Sequence, residues 1–219
     1  MTREPLKLIA VSAGLSKPSS TRLLADRLAE ATAQELSLGE RPVEVTVVEL
    51  RDLAVDIANH LVTGFPAPAL REALDLVTGA DGLIVVTPVF AASYSGLFKS
   101  FFDLIEKDAL TGTPVLLAAT GGTPRHSLVL DHALRPLFSH LHAFALPTGV
   151  FAATGDWGAG VEGDSDEGTL PARISRAGAE LARILTSATV RTSESANGSG
   201  AAEEAEEVIP FEKLLVNLA

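Results

Sequence analysis

Serines and threonines crowd one stretch of the chain, Ser12-Ala13-Gly14-Leu15-Ser16-Lys17-Pro18-Ser19-Ser20-Thr21, directly after an apolar run and directly before a helical pattern. That position suits an anion. The first turn of a helix presents backbone N–H groups that have no intrahelical acceptor, and hydroxyls add further donors around them. Ser12, Ser16, Pro18, Ser19, Ser20 and Thr21 are therefore the candidate residues around a phosphate. Taken alone, Ser19 or Ser20 could equally be a helix cap; the whole cluster points to phosphate. Neither G-x-G-x-x-G nor G-K-[ST] occurs there, so the segment is not a dinucleotide fingerprint or a P-loop.

Two further segments could serve a flat ring. The first runs from Thr87 to Lys99 (TPVFAASYSGLFK). Pro88 stiffens the exit from an apolar run, and Phe90 and Tyr94 bring aromatic surface next to small residues. Pro88, Val89, Phe90, Ser93 and Tyr94 are the candidates here. Singly, Phe90 reads as core and Tyr94 as surface. Lys99 reads equally as a phosphate partner or a solvated helix charge. The second segment is Thr120-Gly121-Gly122, whose paired glycines let backbone amides come close to a ligand. Such amides would stabilise negative charge on a ring that is being reduced. On its own, the pair is also an ordinary turn.

Other chemistries find little support. Cysteine is absent, which excludes disulfides, thiolate metal sites and a cysteine nucleophile and fits a cytoplasmic protein. His60, His132, His140 and His142 lack a convincing carboxylate partner, so no metal site is expected. G-x-S-x-G is missing, which argues against a hydrolase triad. Trp157 stands in a Gly-rich loop and could pack at an interface or cover a ring. The formal charge of −11 disfavours nucleic acid and anionic membranes as partners. No apolar run is long enough to span a bilayer, and no secretory leader is expected at the N-terminus.

The elements that must position these segments follow from periodicity. Apolar runs at Leu6–Val11, Val43–Leu50, Asp81–Thr87, Pro114–Thr120 and Ala145–Ala152 read as five buried strands. Helical spacing follows four of them: from Thr21, around Leu70–Val77, at Leu97–Ile105 and at His126–His142, the last despite Pro136. A final helix spans Leu170–Leu185. Arg51–Pro68 and Thr154–Gly168 read as loops. Strands that are continuous apolar runs alternating with helices predict an α/β fold, a five-stranded parallel sheet with helices on both faces. All three candidate segments then follow strand ends, where open α/β sheets bind ligands. Residues 1–187 form the expected body. Residues 188–207 read as a disordered acidic linker. Residues 208–219 form an apolar tail expected to dock on the body or on a neighbouring subunit.

Together, the SAGLSKPSSTRLL loop, the TPVFAASYSGLFK segment and Gly121-Gly122 resemble the NAD(P)H-dependent FMN reductase family, over about Leu6–Leu185, and especially its actinobacterial members. The family's T-P-x-Y tyrosine is Phe90 here, and the arginine common in the first loop is replaced by a nearby Lys17. The resemblance implies the flavodoxin-like strand order 2-1-3-4-5. It also implies FMN as cofactor, NADPH or NADH as hydride donor to flavin N5, and no catalytic side chain. It further implies a homodimer or tetramer, and a flavin-dependent monooxygenase as a possible recipient of reduced flavin. The alternatives are a quinone, azo or chromate reductase on the same fold, or a flavodoxin-type electron carrier.

Overall fold

A computed structural model describes residues 4–157 and 168–195, with side chains through 187. The sheet is built from β1 (Leu6–Ser12), β2 (Val43–Glu49), β3 (Gly82–Phe90), β4 (Ser93–Tyr94), β5 (Pro114–Gly121), β6 (Phe144–Ala145) and β7 (Val150–Ala153). The helices are α1 (Ser20–Leu38), α2 (Ala54–Thr63), α3 (Pro68–Thr78), α4 (Gly96–Phe102), α5 (Arg135–His140) and α6 (Leu170–Ser195). The sheet path is β2-β1-β3-β5-β6, with β7 also on β5. Every ladder along it is parallel. This is the flavodoxin-like order, with the expected fifth strand divided into β6 and β7.

Side chains alternate across the central strands because successive residues of a strand face opposite ways. Leu8 and Ala10 of β1, Ile84 and Val86 of β3, and Leu116 and Ala118 of β5 pack with Leu24 and Leu28 of α1 and Ile174 and Leu181 of α6. Ile9, Val11, Leu83, Val85, Val115 and Leu117 face the other way, onto Ile57, Leu70, Val77, Phe98, Phe102 and Phe138. Burial on both faces explains why these strands are continuous apolar runs. Where α1 passes α6, a Cβ on Gly178 would fall 2.9 Å from the Cβ of Ala31 and from the Thr32 nitrogen, so the close approach requires glycine.

Several sequence expectations need correction. Arg51–Pro68 is not a loop: a 3-10 turn (Leu50–Leu53) leads into α2, of which only Ile57 is fully buried. The helix expected over 126–142 is broken into a 3-10 turn (Pro124–His126), a π turn (Leu130–Leu134) and α5. Pro136 has no N–H to donate and crowds the turn before it, so a regular ladder cannot pass through. The fifth strand is interrupted because Phe144–Ala145 pairs with Pro114–Val115 while Val150 pairs with Ala118. The residues between, including Pro147, bulge out of the ladder. Arg135 donates to the carbonyls of Leu146 (2.9 Å) and Pro147 (3.2 Å) there. The compact body ends at Ala188. However, α6 runs on to Ser195, so the start of the expected linker is helical. The rest of that linker, the apolar 208–219 segment and the loop beyond Trp157 lie outside the described residues.

Candidate functional site at the carboxyl ends of the strands

The loop after β1 is fixed from two sides. Ser19 is extended (φ −122°, ψ 120°), and its Oγ accepts the N–H of Arg22 at 3.2 Å, which caps α1. Ser20 and Thr21 then occupy the first turn, where N–H groups have no intrahelical acceptor. From the 3-10 turn after β2, Arg51 donates to the Ser16 carbonyl at 2.7 Å and pairs with Glu49. Glu49 also pairs with Arg22, whose guanidinium is held above its ordinary pKa mainly by its hydrogen bond to Asp26. Gly14 lies against the cap: a Cβ there would sit 2.0 Å from Ser19 Oγ. Ser12 is buried at the strand end, and its Oγ has no hydrogen-bond partner among the described residues. Pro18 follows a cis peptide bond.

After β3 the chain reverses in a hairpin, with Val89 opposite Tyr94 and Phe90 opposite Ser93. Ala91 (φ 47°) and Ala92 (φ 65°) make the turn in the left-handed region. Tight hairpins need that conformation, and it strains any residue other than glycine. The turn is pinned beneath by Thr87, whose Oγ1 accepts the Ser95 N–H at 3.0 Å, while Ser95 Oγ caps α4 by accepting the Phe98 N–H at 3.2 Å. The hairpin leaves Phe90 half exposed on one side. Ser93 and Tyr94 line a separate 530 Å³ cavity with Lys99, His132, Pro136 and Leu137. Tyr94 packs on Phe98 there, with ring centroids 6.0 Å apart.

The loop after β5 completes the site. Thr120 Oγ1 and Thr21 Oγ1 share a hydrogen bond of 2.8 Å that ties the third segment to the first. Gly121 packs under Phe151, where a Cβ would lie 2.8 Å from the ring, while Gly122 faces open space. The three segments surround one cavity of about 460 Å³. Ser16, Ser19, Ser20, Thr21, Pro88, Val89, Phe90, Thr120, Gly121 and Gly122 all line it, whereas Ser12, Pro18, Ser93 and Tyr94 do not.

Leu15, Ala152, Thr154 and Trp157 also line it, and the sequence reading had not placed them there. Ala152 and Thr154 lie at the end of β7. They could have been found by extending to the last strand the rule that ligands sit at the carboxyl ends of strands. Trp157, the only tryptophan, reads from the sequence as either packing at an interface or covering a ring, and the sequence offers no means of choosing. Among the described residues that line the cavity there is no Asp, Glu, His, Lys or Arg, so the site offers hydroxyls, amides, glycines and aromatic faces but no acid or base. Among the described residues, no group of His, Asp and Glu could hold a metal ion, and no helix is long and apolar enough to cross a membrane.

Such a cavity suits a flat ring with a phosphate at one end. The fit rests on the capped helix terminus, the hydroxyls of Ser16, Ser20 and Thr21 in the wall and the open face at Gly122. The chain is also similar to known proteins. A family model described as NADPH-dependent FMN reductase matches residues 6–158. An FMN reductase (NADPH) of Pseudomonas aeruginosa is 46% identical over 153 residues, 70% of this chain and 80% of its own. The NADH-dependent FMN reductase SfnE of Pseudomonas putida is 46% identical over 149 residues, 68% of this chain and 77% of its own. The crystal structure of an oxidoreductase from Corynebacterium diphtheriae superposes with a TM-score of 0.77 at 46% identity, covering 84% of this chain and 98% of that one.

Proposed function

The chain belongs to the NADPH-dependent FMN reductase family, and from that membership and the cavity's chemistry we propose that the 460 Å³ site holds FMN for reduction by NADPH or NADH. Ser16, Ser19, Ser20 and Thr21 surround the phosphate with hydroxyls and with the free amides at the start of α1. Val89 and Phe90 lie along the ring, and the Gly121 and Gly122 amides face its polar edge. FMN, when bound, supplies the hydride-accepting atom. The protein's part is to orient the two rings and to set the charge around them.

The observation that carries this reading is the cavity's composition. Hydride transfer needs stacked rings more than a titratable side chain, and none lines the site among the described residues. Among the described residues, no lysine or arginine stands in the cavity wall. Helix-terminal N–H groups and the dipole of the nineteen-residue α1 supply the positive field instead. Mixing the purified protein with NADPH or NADH and following nicotinamide absorbance tests the activity. Oxidation that depends on added FMN is expected. Binding of FMN with no oxidation of either nicotinamide would instead identify an electron carrier.

The same reading places the protein in the cytoplasm as a homodimer or tetramer, with reduced flavin passing to a monooxygenase. What supports the oligomer is the apolar outer side of α2, where Val55, Leu61 and Val62 are exposed, with Phe65 just beyond it. Exposed patches of that kind mark association surfaces. Light scattering that gives the mass of a monomer would remove this part of the proposal.

A further inference from the structure

Trp157 ends the 3-10 turn Thr154–Trp157, immediately after β7. The turn is held from beneath. Asp156 Oδ2 accepts the Ala153 N–H at 3.0 Å and an Arg173 N–H at 2.9 Å, and Arg173 also donates to the Phe151 carbonyl at 2.5 Å. The indole is partly buried against the α1 and α6 side of the core, and the Arg27 guanidinium lies over its ring at 5.3 Å from the centroid. Arg27 stands seven residues after Ser20, two helical turns along the same exposed stripe of α1. Trp157 therefore flanks the first turns of α1. It lines the same cavity as Ser20 and Thr21, and its contact with Arg27 puts it on the α1 side of that cavity.

We propose that Trp157 is the specificity-determining wall behind the flavin phosphate, admitting FMN, whose phosphate is terminal, and excluding FAD, whose phosphate continues into a second phosphate and an adenosine. This rests on the reading that Ser20 and Thr21 receive the phosphate. Arg27 backs the ring through a cation–π contact, and the Asp156–Arg173 pair fixes its backbone, so the wall cannot swing aside cheaply. Rejection by a rigid steric element, rather than attraction to the preferred ligand, is a common source of selectivity.

The test is equilibrium binding of FMN and of FAD to the full chain and to Trp157→Ala, Trp157→Leu, Trp157→Phe and the double variant Ser20→Ala/Thr21→Ala, each checked for folding by circular dichroism. In Trp157→Ala the preference for FMN over FAD should fall by about tenfold or more, the scale on which a pocket wall discriminates, through a gain in FAD affinity. Trp157→Phe should keep most of the preference. Trp157→Leu retains apolar packing and should behave like the alanine variant even if the latter folds poorly. An unchanged ratio in either folded truncation overturns the assignment of Trp157. Normal FMN affinity in Ser20→Ala/Thr21→Ala overturns the phosphate site itself, and this proposal with it. Weakened FMN binding there, together with an unchanged ratio in the Trp157 variants, removes the wall alone.

Discussion

Two concavities of this protein differ in size and in kind. The larger, about 840 Å³, runs along the sheet edge between β2 and α3 and is lined by Lys7, Glu44, Thr46, Arg71, Glu72 and Asp75. It lies beside the early part of β1 and β2, where Lys7 and Glu44 are partners in register. The smaller, about 460 Å³, lies at the opposite ends of the strands and is made of loops. Volume favours the first, and chemistry favours the second. At the edge groove the backbone of β1 is committed to β2 and β3, and the charged side chains there are of mixed sign. At the carboxyl ends the strands release their last residues into turns, so amides, hydroxyls and an aromatic face converge without being consumed by the sheet. The difference teaches that a site in this fold is set by where strands end, not by how much space an edge leaves.

The comparison breaks most easily at the phosphate end. Ser20→Ala/Thr21→Ala should weaken FMN binding by about a hundredfold or more, since each hydrogen bond to a charged group contributes about 1.5–3 kcal/mol. Isothermal titration measures it, and normal affinity in a folded variant would show that the phosphate is elsewhere. A smaller effect is expected one layer out. Arg51→Ala removes the donor to the Ser16 carbonyl and one partner of Glu49, so the loop after β1 loses its anchor while every cavity-lining residue stays. FMN affinity should fall by about tenfold with little change in melting temperature, the loss of one charge-assisted hydrogen bond. The smallest effect belongs to the larger groove. Arg71→Ala and Glu72→Ala should leave FMN affinity unchanged within about 0.5 kcal/mol, as surface substitutions away from a site usually do. A marked loss of affinity there would reverse the ranking of the two concavities.

Much of the site was legible because its residues announce a backbone task. A hydroxyl cluster before a helix and a glycine pair after a strand both mark places where amides are left free, and both segments line the cavity. The hairpin was not legible. Ala91 and Ala92 carry no turn signal, yet both take positive φ, and that reversal is what removes Ser93 and Tyr94 from the cavity and leaves Phe90 there. Among the elements, α2 was passed over although Ala54, Ile57, Ala58 and Leu61 recur at helical spacing; the stripe is short, and only Ile57 of it is fully buried. The division of the fifth strand and the π turn before α5 both trace to prolines, Pro147 and Pro136, whose effect on a ladder can be foreseen but whose local solution cannot. Trp157 is the opposite case: its type was conspicuous, but its place depends on Arg27 and Arg173, far apart in sequence and brought to the same turn only by the packing of α1 and α6.

A crystal structure of the full chain grown with FMN tests the central claim most directly. The account predicts the flavin in the smaller cavity, with its phosphate within hydrogen-bonding distance of the Ser20 and Thr21 amides and its ring beside Val89, Phe90 and Gly121-Gly122. Flavin seated in the edge groove beside Arg71, or turned so that its phosphate lies at the Gly121-Gly122 end, would contradict it.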